Sequence, residues 1–288
     1  MLEKFNDLKW RLIIHSFNAF LVTLIVYLSV YSISKFFILA LIIALIIAAN
    51  MEFLHFCNLK KIYYNIWPSV PFIIIWPCSV FLGLYSKHWM PITLIVSFLS
   101  LILIIFSCFK EVENSIAAVS AQIFSHVYIT IPISLFIPLI YLDLIGLATD
   151  GRIWLAYLIC VSKGADVGGY FFGSLFGKKP LAPSISPKKT LEGFYGGVAC
   201  SIFVSLLFYM LGLFCPKGVF YLGLMESIIL GISVSLVSQF GDLSESLFKR
   251  DAKIKDSSKI PAVGGVLDIV DSLLLTTPIL LSYLMLSR

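Results

Sequence analysis

The feature that most constrains this chain is a succession of apolar runs about 20 residues long, near 12–31, 36–56, 67–85, 90–109, 125–145, 153–172, 197–214, 219–240 and 265–286. A run of that length crosses the hydrocarbon core of a bilayer as a helix. Inside lipid, only helices and closed barrels satisfy their own backbone polar groups. The expected fold class is therefore all-α: a polytopic integral membrane protein with about nine transmembrane helices. Hydrophobic residues make up 59% and charged residues 13% of the 288 positions, and mean hydropathy is +0.99. A soluble domain carries about a quarter charged residues, so a soluble enzyme is excluded. The net charge of +5 does not point to nucleic acid, because the basic residues are scattered over short loops without a basic, aromatic-interleaved face.

Basic residues in short loops stay cytoplasmic. With the N-terminus inside, the cytoplasmic segments hold Lys4, Lys9, Arg11, Lys60, Lys61, Lys110, Lys178, Lys179, Lys188, Lys189, Lys249, Arg250, Lys253, Lys255 and Lys259. The opposite side holds Lys35, Lys87, Arg152, Lys217 and Arg288, and Lys163 falls inside a span. The first run follows a basic stretch as a signal peptide does, but no small-x-small cleavage site follows it, so it is expected to stay as an anchor. The expected location is the cell (inner) membrane, with the N-terminus and the active site on the cytoplasmic side.

Residues 1–150 read as N-terminal transmembrane helices with few polar features, and 151–288 as the catalytic region. Its two longest cytoplasmic loops, 173–196 and 241–264, concentrate Gly, Pro and charge. The six cysteines have no C-x-x-C spacing and the four histidines lie in the first half, so neither type is read as a metal ligand.

Four acids stand out at the expected cytoplasmic ends of spans: Asp166, Asp242, Asp268 and Asp271. Acids at membrane depth are costly and tend to pair with cations or line polar cavities. Hard divalent ions take oxygen ligands, commonly one or two carboxylates plus substrate phosphates, so these four are the candidate ligands of a divalent metal. The plainer reading, that each caps a helix or sits in interfacial water, stays open for any one of them.

Two basic elements accompany the acids. In Lys178 to Gly193, Ser186 followed by Pro187 reads as a helix N-cap and first helical residue, with Lys188 and Lys189 in the opening turn. Cations there oppose the helix dipole, so a bound phosphate is expected to balance them. Further on, Lys249, Arg250, Lys253 and Lys255 lead to Gly264–Gly265, a pair that lets backbone approach an anion closely. Both segments could instead only hold lipid headgroups or enforce orientation.

Ser246-x-x-Lys249-Arg250-x4-Lys255-Asp256, then Pro261, Gly264-Gly265, Asp268 and Asp271, resembles the signature of the phosphatidate cytidylyltransferases. Asp166-Val167-Gly168-Gly169-Tyr170 and Leu181 to Gly193 resemble two further blocks of that family, in the same order. The resemblance implies cytidylyl transfer from CTP to phosphatidate, giving CDP-diacylglycerol and pyrophosphate. It also implies a polar cavity open to the cytoplasm and a homodimer.

In that reading Asp166, Asp242, Asp268 and Asp271 hold Mg²⁺, with a second, monovalent cation allowed for. Asp242, Asp268, Asp271 and Lys249 are catalytic, and Tyr170, Ser186, Lys188, Lys189, Thr190, Arg250, Lys255, Gly264 and Gly265 bind substrate. The chain departs from the family pattern at Ala262 and Val263, where Gly and His are usual, at Ile269 for Arg, and at Leu191 for Trp. An enzyme using another membrane lipid, a transporter and an inactive relative are the alternatives.

Overall fold

The computed structural model describes residues 34–62, 65–86, 89–110, 113–147, 149–216, 218–254 and 265–287. The expected span near 12–31 lies outside them, as do Lys255 and Gly264. The described chain is helical apart from one short hairpin. In order it forms α1 (Ser34–Leu59), α2 (Val70–Gly83), α3 (Trp89–Ser107) and α4 (Ser115–Ser125). A π turn (His126–Thr130), α5 (Ile131–Ser134) and α6 (Phe136–Ile140) follow, then α7 (Gly151–Phe176). The hairpin β1 (Pro180–Ala182) and β2 (Ser186–Thr190) leads to α8 (Leu191–Phe214), α9 (Leu224–Asp251) and α10 (Val266–Ser287). Five stretches are long and apolar enough to cross a membrane: Ser34–Leu59, Ser115–Ile140, Leu191–Phe214, Leu224–Asp251 and Val266–Ser287. Trp67–Gly83 and Pro91–Ser107 are shorter apolar helical stretches.

Packing on α8 is inverted relative to a helix of a soluble protein. On α8 the buried residues include Gly193, Gly197, Ser201 and Ser205, spaced by four, whereas Phe203, Leu207, Met210 and Phe214 are exposed. Lipid is as apolar as leucine, so membrane helices associate through small residues that let backbones approach and through interhelical hydrogen bonds. Both occur here. Ser201 donates to the Val161 carbonyl (2.9 Å), and Ser205 donates to the Ser227 carbonyl (2.6 Å) while sharing a hydrogen bond with the Tyr157 hydroxyl (2.8 Å). A Cβ on Gly168 would stand 2.6 Å from the Cys200 Cβ and 2.7 Å from the Gly196 carbonyl. Gly168→Leu is accordingly expected to force α7 from α8 and destabilise by about 1–3 kcal/mol or more, read as a lower unfolding midpoint in detergent.

Helix ends follow local chemistry. Asp150 caps α7 by accepting from the Arg152 amide (2.9 Å). Burial pushes its carboxyl up, but the Arg152 hydrogen bonds outweigh this and hold it below the usual carboxylate range. The span expected at 219–240 starts at Leu224, because Gly223 is its cap and Glu226 accepts from the Gly223 amide (2.8 Å). It ends at Asp251, with Lys249 and Arg250 in a last turn where cations suit the dipole. Likewise α7 continues past the expected 172 to Phe176.

Consequently Asp166 and Asp242 lie inside their helices, not at the ends where the sequence reading put them. The core is one continuous cluster that includes Ile46 and Phe53 of α1, Trp154 and Leu158 of α7, Val234 of α9 and Leu274 of α10. Ile269 packs against it, which suits an apolar residue where the family pattern has Arg.

Candidate active site

The segment between α7 and α8 overturns one expectation. Ser186 and Pro187 do not start a helix; Ser186–Thr190 is strand β2, antiparallel to β1 with Ala182 opposite Ser186 and Pro180 opposite Thr190. The cap of α8 is Thr190, whose hydroxyl accepts from the Gly193 amide (3.2 Å). The acid Glu192 occupies the first turn, as the dipole favours. Its carboxylate also accepts from the amides of Lys178 (3.0 Å) and Lys179 (3.3 Å), closing the hairpin at its base. Lys188 and Lys189 therefore sit on a strand, and no conflict with the α8 dipole needs a bound phosphate.

The hairpin lies against a cavity of about 330 Å³ between α7, α8 and α9. Its walls hold Asp166, Tyr170, Lys188, Lys189, Thr190 and Asp242, so six residues singled out in the sequence come together here. Gly169, Gly173 and Gly193 bring the backbones of α7 and α8 close beside it. Gln239, one turn before Asp242, also lines it and was not foreseen. The Lys189 ammonium forms an ion pair with Asp242 across the cavity, and Lys163 pairs with Asp166 (3.1 Å). At the hairpin tip, the Arg250 Nε donates to the Ile185 carbonyl (3.1 Å), tying β2 to the end of α9.

The four singled-out acids do not form one group. Asp166 and Asp242 line the cavity, and Asp271 sits on α10 where its backbone packs on Gly241, the residue before Asp242. Asp271 is 6% exposed and accepts from the Ser272 amide (2.5 Å). Asp268 belongs to a second set, where the Lys249 ammonium pairs with both Asp268 and Glu245. Glu245 is fully buried and was missed in the sequence, where it looked like any acid of an amphipathic helix. Asp268 also accepts from the Gly265 amide (2.6 Å), so this amide of the expected phosphate-binding glycine pair is engaged by a carboxylate.

Lys249→Met leaves the Glu245 and Asp268 carboxylates facing each other without their cation. Removing one partner of a buried ion pair costs about 3–5 kcal/mol. A large fall in the thermal midpoint of the Lys249→Met protein in detergent is expected.

The cytidylyltransferase family model matches residues 10–287. A Chlamydia pneumoniae protein named phosphatidate cytidylyltransferase is 32% identical over 99% of this chain and 94% of its own length. This chain belongs to the cytidylyltransferase family. A Chlamydia muridarum protein of the same name is 42% identical over 60% of this chain and 57% of that protein. A Staphylococcus haemolyticus protein, also so named, is 41% identical over 46% of this chain and 49% of its own length.

Among the described residues, no three acids, histidines or cysteines are grouped as a ready-made metal site. Family membership does not require one. Mg²⁺ keeps several waters and takes one or two protein carboxylates, the rest of its shell coming from substrate phosphates. Asp166 and Asp242 on the cavity wall, with the Asp271 backbone packed on Gly241, are donors of that kind, and carboxylates facing one cavity are what a bound cation would offset.

Proposed function

We propose that this chain transfers the cytidylyl group of CTP to phosphatidate, releasing pyrophosphate and forming CDP-diacylglycerol in phospholipid biosynthesis. One observation carries the reading to this site: a single cavity has lysines for phosphates on its strand wall and carboxylates for a divalent cation on its helix walls. In the reaction, a phosphatidate phosphate oxygen forms a bond to the α-phosphorus of CTP. The bond from that phosphorus to the bridging oxygen breaks, and pyrophosphate leaves with the electron pair. The nucleophile is already anionic, so no side chain has to remove a proton. Positioning and charge stabilisation do most of the work in such transfers.

Lys188 and Lys189 bind the phosphates with Tyr170 beside them on the cavity wall, whereas Ser186 opens β2 outside that wall. Thr190 fixes the start of α8, Arg250 fixes the hairpin tip, and Lys249 holds Asp268 in place. Asp166, Asp242 and Asp271 would hold Mg²⁺, which when bound neutralises charge on the reacting phosphates. Lys255 and Gly264 lie outside the described residues, and the Gly265 amide is held by Asp268 at the start of α10. The same proposal gives the protein nine spans, a cytoplasmic N-terminus, a cavity open to the cytoplasm of the inner membrane, and a homodimeric assembly. Orientation bias of basic residues supports that topology.

The test is turnover by the purified protein in detergent with phosphatidate, Mg²⁺ and labelled CTP. Label in the lipid extract with matching pyrophosphate release is expected, and none after chelation of Mg²⁺. A folded protein that labels a polyprenol phosphate or ether lipid but not phosphatidate would overturn the assignment of acceptor.

A further inference from the structure

α1 is apolar without a break from Phe36 to Ala49, and Glu52 is its one acid. A carboxylate in such a helix is costly unless it finds strong partners. Glu52 finds them 214 and 215 positions away. One of its oxygens accepts from the Val266 amide at 2.7 Å, and the other from the Leu267 amide at 2.8 Å. The first four amides of a helix have no partner within it, and the N-terminus attracts anions. In α10 those amides are served by the protein itself: Gly265 by Asp268, Val266 and Leu267 by Glu52.

The end of α1 and the turn after it make two more contacts with the catalytic half. Lys60, two turns beyond Glu52, pairs with Asp251 at the end of α9 (2.8 Å). Phe53 lies edge-on to Phe248 of α9, with ring centroids 6.4 Å apart. Thus α1 bridges the end of α9 and the start of α10, the two points between which the loop 252–264 runs. Asp271 is one turn after Leu267, and a Cβ on Gly241 would stand 2.5 Å from the Asp271 carbonyl. With backbones that close, a small shift in the first turn of α10 displaces Asp271 relative to Asp242.

We propose that Glu52 is a positioning residue for the reaction: its carboxylate fixes the first turn of α10 and thereby sets Asp271 against Asp242 and Asp166. The inference rests on the cytidylyltransferase reading for its kinetic consequence, but not for its structural one.

The test compares wild type with Glu52→Gln and Glu52→Ala, full-length in detergent. Glu52→Gln keeps one acceptor oxygen at nearly the same volume, so it reports even where Glu52→Ala folds poorly. Losing charge-assisted hydrogen bonds of this kind is expected to lower kcat by about tenfold or more, with KM for CTP unchanged and the Mg²⁺ concentration giving half the maximal rate raised. Amide hydrogen exchange in the peptide 265–271 is expected to accelerate while peptides of α7 keep wild-type protection. A variant with a lowered unfolding midpoint but wild-type kcat and Mg²⁺ dependence would reduce Glu52 to an ordinary cap and overturn the proposal. A lower KM for CTP in Glu52→Gln would also overturn it, since the carboxylate would then be competing with a substrate phosphate. Exchange needs no turnover, so an inactive wild type would defeat the assigned reaction, while unchanged exchange at 265–271 in Glu52→Gln would still overturn the role of Glu52.

Discussion

Asp271→Asn is expected to lower turnover by about a thousandfold, the scale on which removal of one charge-stabilising group acts in a closed site, without lowering stability. Asparagine has the volume of aspartate and keeps an oxygen to accept from the Ser272 amide. What it loses is the charge. In the absence of bound ligand that charge is a liability, because Asp271 is buried and a charge out of water is costly. The variant should therefore unfold at the same temperature as wild type or higher when no Mg²⁺ is present. With Mg²⁺ and CTP the order should reverse, since a ligand that binds only the folded state stabilises it in proportion to its affinity. Thermal midpoints in detergent, with and without Mg²⁺–CTP, would be measured beside lipid labelling. Wild-type turnover in Asp271→Asn would remove Asp271 from the mechanism.

The helices were legible because apolar runs of membrane-spanning length have few other interpretations, and eight of the nine expected runs fall on described helical segments. Their ends were less so. Asp166 and Asp242 looked terminal because charges were placed at the ends of spans, but their helices continue to Phe176 and Asp251. The Ser186–Pro187 pair imitated a cap; Thr190, with Glu192 and Gly193 after it, was the better one, and only pairing with Pro180–Ala182 makes 186–190 a strand.

The cavity residues Asp166, Tyr170, Lys188, Lys189, Thr190 and Asp242 were found through their motifs. Glu52 and Glu245 were not, and for one physical reason: what defines each is a partner. Lys249 makes Glu245 more than a helix-surface acid, and the amides of Val266 and Leu267 lie at the far end of the chain from Glu52. The available signal for Glu52 was its isolation in an apolar run, where an acid without a purpose is rarely kept.

Lys189→Met is the second variant expected to have a large effect, and its comparison with Lys188→Met tests whether the cavity handles phosphate. The two lysines are neighbours on β2 and border the same cavity, but Lys188 is exposed whereas Lys189 is half-buried and paired with Asp242. A cation held by a carboxylate at the cavity wall is pre-positioned, and it neutralises charge where water is partly excluded, so it interacts with a phosphate more strongly than an exposed one.

Removing Lys189 also leaves Asp242 without its counter-charge, so the cavity turns more negative and repels a triphosphate. The expected loss in kcat/KM is about a hundredfold or more for Lys189→Met and only a few-fold for Lys188→Met. Lys189→Arg should recover little, because a planar guanidinium does not substitute for a compact ammonium at a site shaped around one. Equal, small losses in both methionine variants would mean that the Lys189–Asp242 pair merely fastens the hairpin to α9, and the phosphates would then have to be sought on the loop 255–264.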